Sequence, residues 1–481
     1  MSNYRSNKKG FLLPGVIVFG FIGVVLLGGI LNWAGTNIRS ARHLAESEQA
    51  FQIAEAGIEY YRWHLAHDQD DWQDGTGLPG PYIHPYYDKE GVQVGNFELT
   101  ITPPLVGTTI VTVASMGTTL ANPNVKRIIE ARLAVPSLAK FAVVANSDIR
   151  FGNGTEVFGP IHSNGGIRFD GLAHNIISSA RTDYNDPDHS GGNEFGVHTH
   201  LSPTDPLPPA AVPARADVFE ASREFPIPAI DFDGFTADLS TIKTGAQASG
   251  RYFAGSGALG YNIILKTNDT FDLYRVNTLV SPPTSSCYDT QNQDGWGTWS
   301  VNSQTLLGNY SFPADGLVFV EDNLWVEGQI NGARLAIAAA RFPENPATYA
   351  NISFTKDILY TNYDGTDVLA LMAQNNINAG MTSATTIRVD AALVAQKGRV
   401  GRYYYRPPGS SSRCSPYHNR DTITLYGMIA TSKRYGFAYT DGNGYDVRNI
   451  IYDGNLLYGP PPSFPLTGDQ YEIISWREIK D

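Results

Sequence analysis

The residues with the clearest chemical potential lie in NDPDHSGGNEFGVHTH, residues 185–200, which holds Asp186, Asp188, His189, Glu194, His198 and His200. In a strand, His198 and His200 share a face. Two imidazoles on one face suit Zn²⁺ or a similar ion. The spacing fixes no third ligand, and a polar surface loop accounts for the same residues. Two other stretches, TQNQDGWG (Thr290, Asn292, Asp294, Gly295) and DGNGYD (Asp441, Asn443, Asp446), place oxygen ligands at alternate positions beside a glycine. That pattern suits Ca²⁺, but neither stretch closes with an acidic residue at the required distance. A β-turn explains DGNG as well. Beyond calcium at these loops, no cofactor is expected.

Catalytic patterns are sparse. There is no G-x-S-x-G, phosphate loop, H-E-x-x-H or motif-based Cys–His pairing. His162 in PIHSNGG reads as a hydrogen-bonded turn histidine. Arg388 and Asp390 project on one side of a strand, as in β-solenoids acting on polysaccharides, yet an aspartate at a coil edge is common. The chain is therefore read as non-enzymatic. Cys287 (SSC) and Cys414 (SSRC) would pair in an exported protein or stay as two free thiols. Pairing would gather Trp296 and Trp299 with Tyr403, Tyr404 and Tyr405. Such aromatics serve as contacts for a glycan or protein receptor, or cap a core.

These residues need elements to hold them. A length of 481 implies two or three folded units. Gly 48 and Pro 29 against 17% charged residues indicate a turn-rich, mainly-β body, and a formal charge of −12 argues against nucleic acid as a partner. IRFGNG at Ile149 and IRFDGL at Ile167 form a short repeat, and apolar strands bounded by Gly, Asn or Asp recur over 316–400. Together they predict coils of a parallel β-solenoid. The first coils are placed at 136–171, a Pro-rich insertion at 172–315, the main solenoid at 316–430 and a C-terminal cap at 431–481. Small residues such as Ala338 and Ala392 are expected where coils stack closely.

The N-terminus supplies the remaining element. No charged residue occurs from Phe11 to Ile38, and Arg5, Lys8 and Lys9 precede this run. At about 1.5 Å of rise per residue, it can cross a bilayer with the N-terminus inside and the body outside. Pro14 is expected to kink its first turns. Beyond it, Leu44, Phe51, Ile58 and Leu65 recur every seven residues, with Ala54 and Tyr61 between and Glu46, Glu48, Glu55 and Glu59 around them. This predicts one long helix over 11–66, apolar and then amphipathic. Three strands, NFELTITPPL, TTIVTVASMGTTL and KRIIEARLAV, then form an antiparallel unit within 67–135.

KKG followed by FLLPG resembles the processing site of type IV pilins, and AFQIAEAGIEYYRWHL resembles the helical signature of PilX-type minor pilins. The resemblance implies a leader at 1–10, cut by prepilin peptidase between Gly10 and Phe11. The helix would then assemble with other pilins or pseudopilins through an inner-membrane platform. It implies an α+β pilin-like head followed by an exported solenoid. Pilins usually carry a glutamate at the fifth mature position, where this chain has Gly15. Tip or priming pilins commonly lack that glutamate. The alternatives are a single-pass, membrane-anchored surface adhesin or carbohydrate-binding protein independent of a pilus, or a surface enzyme acting on polysaccharide.

Overall fold

The computed structural model describes residues 12–105, 107–232, 239–468 and 470–480. The chain forms two compact units: 1–104 with 110–134 and 469–481, and 105–109 with 135–468. The first unit is built on α1 (Leu12–Leu65). Pro14 falls in the first turn of the described helix, where a missing N–H costs no intrahelical bond, and α1 runs on from it as one element. Its sheet comprises β1 (Tyr82–Tyr87), β2 (Gln93–Thr102), β3 (Val111–Thr119) and β4 (Lys126–Ala134), with Glu472–Ile479 pairing antiparallel to β4. Sequence patterning marks only β2, β3 and β4. β1 lies in a stretch read as a polar link, and its Pro85 is tolerated because β1 is an edge strand. Phe97 and Leu99 of β2, with Ile129, Ala131 and Leu133 of β4, face α1 in one core.

The second unit is a mainly-β body whose short strands stack in parallel as successive coils. On one side run Arg251–Phe253, Leu317–Val320, Arg334–Ala339, Val368–Ala373, Thr386–Ala395 and Asn419–Thr431. Val143–Ala145, Ile161–Ser163, Ile177–Ser179 and Arg223–Glu224 continue the same stack. The stacking order thus departs from the chain order: the earliest coils lie beyond the latest. Ile149, Arg150 and Phe151 pair in register with Ile167, Arg168 and Phe169, so the two copies of the repeat occupy adjacent coils.

This order corrects two expected boundaries. The 431–481 segment is not a cap. Gly444–Tyr452 is a strand between Asn419–Thr431 and Thr155–Phe158, and Glu472–Ile479 belongs to the other unit. Nor is 172–315 a flank insertion. Ile177–Ser179 and Arg223–Glu224 extend one end of the stack, while Arg251–Phe253 and Gly260–Lys266 add to the other. Parallel pairing is nonlocal, so two- and three-residue strands find partners that no local pattern names.

The alanines also have a different cause from the one expected. Leu335, Ile337, Leu369 and Leu371 face the interior of the coils. Ala336, Ala338, Ala370 and Ala392 face outward, beneath the helix Leu239–Ala248 and beside Leu456 and Phe464. Both faces of this parallel sheet are buried, and small residues leave room for the covering segments.

One interaction across the coils is pH-sensitive. His174 Nε2 lies 2.9 Å from Glu156 Oε1, and its Nδ1 lies 2.7 Å from Glu220 Oε2. Burial works against the charged ring, but the two carboxylates outweigh it and raise its pKa. A raised folded pKa gives stability that is fully present below the unfolded value of about 6.5 and is lost as pH rises through the folded one. Urea unfolding of wild type and His174→Gln should therefore differ most at pH 6 or below, with the gap closing as pH rises. A gap that is constant with pH would mean that the ring is neutral in the fold.

Candidate functional site

Two regions gather the residues singled out above. The first is α1. Ala50, Ile53, Ala54, Ile58, Tyr61 and Leu65 are buried on the sheet. Of the expected stripe, Leu44 is 74% exposed and is no part of it. Phe51 sits at the rim, its ring edge-on to Trp476 at 5.8 Å and 5.0 Å from the Arg127 guanidinium, and Glu55 faces solvent. The actual stripe adds Ile53, which the seven-residue repeat skips, and Ala50 and Gly57, small residues that hydrophobic patterning underweights. They are buried because the sheet comes very close: a Cβ on Gly57 would lie 2.2 Å from Ser115 Oγ, and one on Gly117 would lie 2.0 Å from the Ala50 carbonyl oxygen. Gly117 lies inside β3. N-terminal to this, the helix exposes Phe19, Phe21, Val24, Leu31 and Trp33, and Gly15 has no neighbour within 4 Å. α1 is long and apolar enough to cross a membrane. Gly10 and Phe11, the expected cleavage pair, lie outside the described residues.

The second region is on the coils. Asp183–Tyr184 and Glu194–Phe195 pair antiparallel, and the intervening loop carries Asp186 and His189. Val197–His198 then pairs parallel with Ile167–Phe169. Gly196 makes the junction, since a Cβ there would lie 1.8 Å from the Arg181 carbonyl oxygen. This brings one ligand atom each of Asp186, His198 and His200 within 4.8 Å of one another, and likewise for His189, Glu194 and His200. His189 Nδ1 lies 3.0 Å and His200 Nε2 3.4 Å from Glu194 Oε1, while His198 Nε2 is 3.6 Å from Asp186 Oδ2. The third and further ligands that spacing could not fix thus come from the hairpin. Asp188 is excluded, being paired with Arg150 and Arg434. Burial opposes ionisation of Asp186, but the His198 ring, the Asp188 backbone N–H and Arg168 outweigh it and hold its carboxyl well below the usual range. Burial, with Arg168 and His198, lowers the pKa of His200 against the pull of Glu194 and Asp170.

The remaining candidates are structural. Each carboxylate of DGNGYD already has a protein partner. Asp441 accepts from the Tyr404 hydroxyl and the Asn443 backbone N–H, and Asp446 accepts from Asn419 Nδ2. Asn443 Nδ2 donates to the Tyr405 carbonyl. This is the turn reading rather than a calcium loop. Asp390 is fully buried, accepting from the Tyr360 backbone N–H, the Tyr363 hydroxyl and Arg388. Buried His162 hydrogen-bonds Ser178 Oγ and Asn164 Oδ1. Cys287 and Cys414 form a disulfide, with Cα atoms 4.9 Å apart, inside a cluster with Met381, Tyr403 and Tyr405, flanked by Trp296 and Trp299. Tyr403 and Tyr405 are fully buried, and the two tryptophans are partly buried against them. Beside them opens a cleft of about 810 Å³, lined in part by Gln293, Arg399, Arg434, Tyr439 and Asn443.

No protein-family model and no curated protein matches the chain. Among solved structures, the crystal structure of the competence-associated pilin ComZ from Thermus thermophilus is similar over 90% of this chain and 98% of that chain, at 13% sequence identity and a TM-score of 0.30. A likeness at that level carries no argument.

Proposed function

We propose that the chain is a non-enzymatic, minor pilin-like component of a type IV pilus or related filament. The observation that carries this reading is the division of labour within α1. Its C-terminal turns, from Ala50 to Leu65, are the spine of a small antiparallel sheet, and its N-terminal turns present an uncharged apolar surface with no cover from the chain. Such a surface needs lipid before assembly and neighbouring helices after it. Prepilin peptidase would cut after Gly10, and other pilins with the inner-membrane platform would take up the helix. Gly15 in place of a glutamate suits a subunit near the tip, where no neighbour requires a buried charge pair. The coiled body would be displayed outside the cell. The cleft beside Tyr439, with its amide and cationic side chains, favours adhesion to a surface glycan or protein as the displayed activity.

The test is mass spectrometry of the mature N-terminus from native membranes. A chain beginning at Phe11 is expected, and one that begins at Met1 or Ser2 would leave an anchored surface protein with no filament.

A further inference from the structure

We propose that His189, His198 and His200, with the carboxylates of Asp186 and Glu194, form a binding site for one divalent transition-metal ion, zinc before others. The argument starts from buried polar atoms. His198 is fully buried, and neither of its ring nitrogens has a hydrogen-bond partner among the described residues. Glu194 is 1% exposed, and its Oε2 is likewise unpartnered, as is Nε2 of His200. Burying one such group without a partner costs on the order of 1–3 kcal/mol, and folded proteins rarely leave several together. Here the orphans converge, because all belong to residues whose ligand atoms already lie within 4.8 Å of one another in two triads sharing His200. One ion seated there would take a single nitrogen from an imidazole and an oxygen from a carboxylate, and so partner one atom of each residue that it meets.

The donor set selects the ion. Three imidazoles with two carboxylates suit zinc and its late first-row neighbours, whereas calcium and magnesium require oxygen. The two carboxylates would balance the charge of a divalent cation. The surroundings are those of a supported site, in which outer partners fix the ligand-bearing backbone. Asp170 accepts the His200 backbone N–H, Asp205 accepts that of Thr199, and Asp186 Oδ1 accepts that of Asp188. Arg168 bridges Asp170 and Asp186. Gly191 leaves room for the His189 ring, which a Cβ at that position would meet at 2.8 Å. The ion would tie the hairpin 183–195 to the strand 197–198, stapling a loop whose own strands are two residues long.

The experiment uses the full chain in detergent micelles, stripped with a chelator and dialysed against zinc or cobalt(II). We expect about one zinc per chain by elemental analysis, and a visible cobalt spectrum that zinc displaces. His198→Ala empties a buried position and can disturb the fold, so the main variants are His189→Ala, at a partly exposed ring, and His200→Gln. Each should weaken zinc about 100-fold or more. His64→Ala, which breaks a pair with Asp71 in the other unit, should leave binding unchanged. Wild-type protein that retains no zinc, or His189→Ala and His200→Gln proteins that bind it as tightly as wild type, would overturn the proposal.

Discussion

Gly117→Val should unfold the smaller unit while leaving the coiled body intact. α1 crosses β3 at this residue so closely that a Cβ would lie 2.0 Å from the Ala50 carbonyl oxygen and 2.5 Å from the Ala54 nitrogen. Both are backbone atoms of a helix, so no side-chain rotation relieves the overlap. The helix would have to lift from the sheet, stripping cover from Ile53, Ala54 and Ile58. Overpacking of this kind costs about 3 kcal/mol, a large part of the stability of a unit of this size. Hydrogen exchange should lose protection over 50–65 and 111–119 and keep it over 317–395. Gly35→Ala, where the added Cβ meets nothing within 4 Å, is the control and should be neutral or slightly helix-stabilising. Wild-type protection in Gly117→Val would show that the helix is not seated on β3 as described.

Arg402→Ala is expected to have the second large effect, in the coiled body. This guanidinium is fully buried and has no carboxylate partner among the described residues. It donates instead to the carbonyls of Gly380, Met381 and Tyr417 and to Ser383 Oγ, and lies 4.7 Å from the ring centre of Tyr405. Alanine leaves the buried Tyr417 carbonyl without this donor, takes one donor each from Gly380, Met381 and Ser383, which keep Ser383 N–H, Arg420 and Tyr445, and opens a cavity at the end of the strand Val400–Arg402. The two losses together come to about 4 kcal/mol. Lys should rescue little, since one ammonium cannot span acceptors arranged around a planar fork. The midpoint of denaturant unfolding followed at 317–431 is the readout. A shift worth under about 1 kcal/mol for Arg402→Ala would mean that the site repacks and that the carbonyls find other donors.

The sequence reveals most where chemistry is local. The apolar, uncharged run to Ile38 marks the exposed half of α1, and alternation in KRIIEARLAV assigns Ile129, Ala131 and Leu133 to the core. The heptad of Leu44, Phe51, Ile58 and Leu65 was half right. Ile58 and Leu65 are buried, but the contact runs through Ala50, Ala54 and Gly57, whose small size matters more than their hydrophobicity. In the metal cluster the H-x-H step is visible in the sequence because two strand residues must share a face. Asp186, His189 and Glu194 lie in the same stretch, but only the hairpin between Tyr184 and Glu194 turns them inward. The disulfide was open between pairing and free thiols, because nothing local decides whether residues 127 apart in sequence meet. Coil order was out of reach for the same reason. A strand such as Val143–Ala145 gives no local sign that its neighbour is Ile429–Thr431.

That coil order has a consequence for how the chain folds as it is made. If the chain emerges N-terminus first, Val143–Ala145 and Thr155–Phe158 are outside long before Asn419–Thr431 and Gly444–Tyr452, on which they stack. β4 likewise waits for Glu472–Ile479, the last strand of the chain. The runs 143–224 and 251–431 can each stack in chain order, but the seam between them closes only when Asn419–Thr431 and Gly444–Tyr452 are made. Until then Val143–Ala145 and Thr155–Phe158 each keep one edge unpaired. A product truncated before residue 419 leaves raw strand edges in both units.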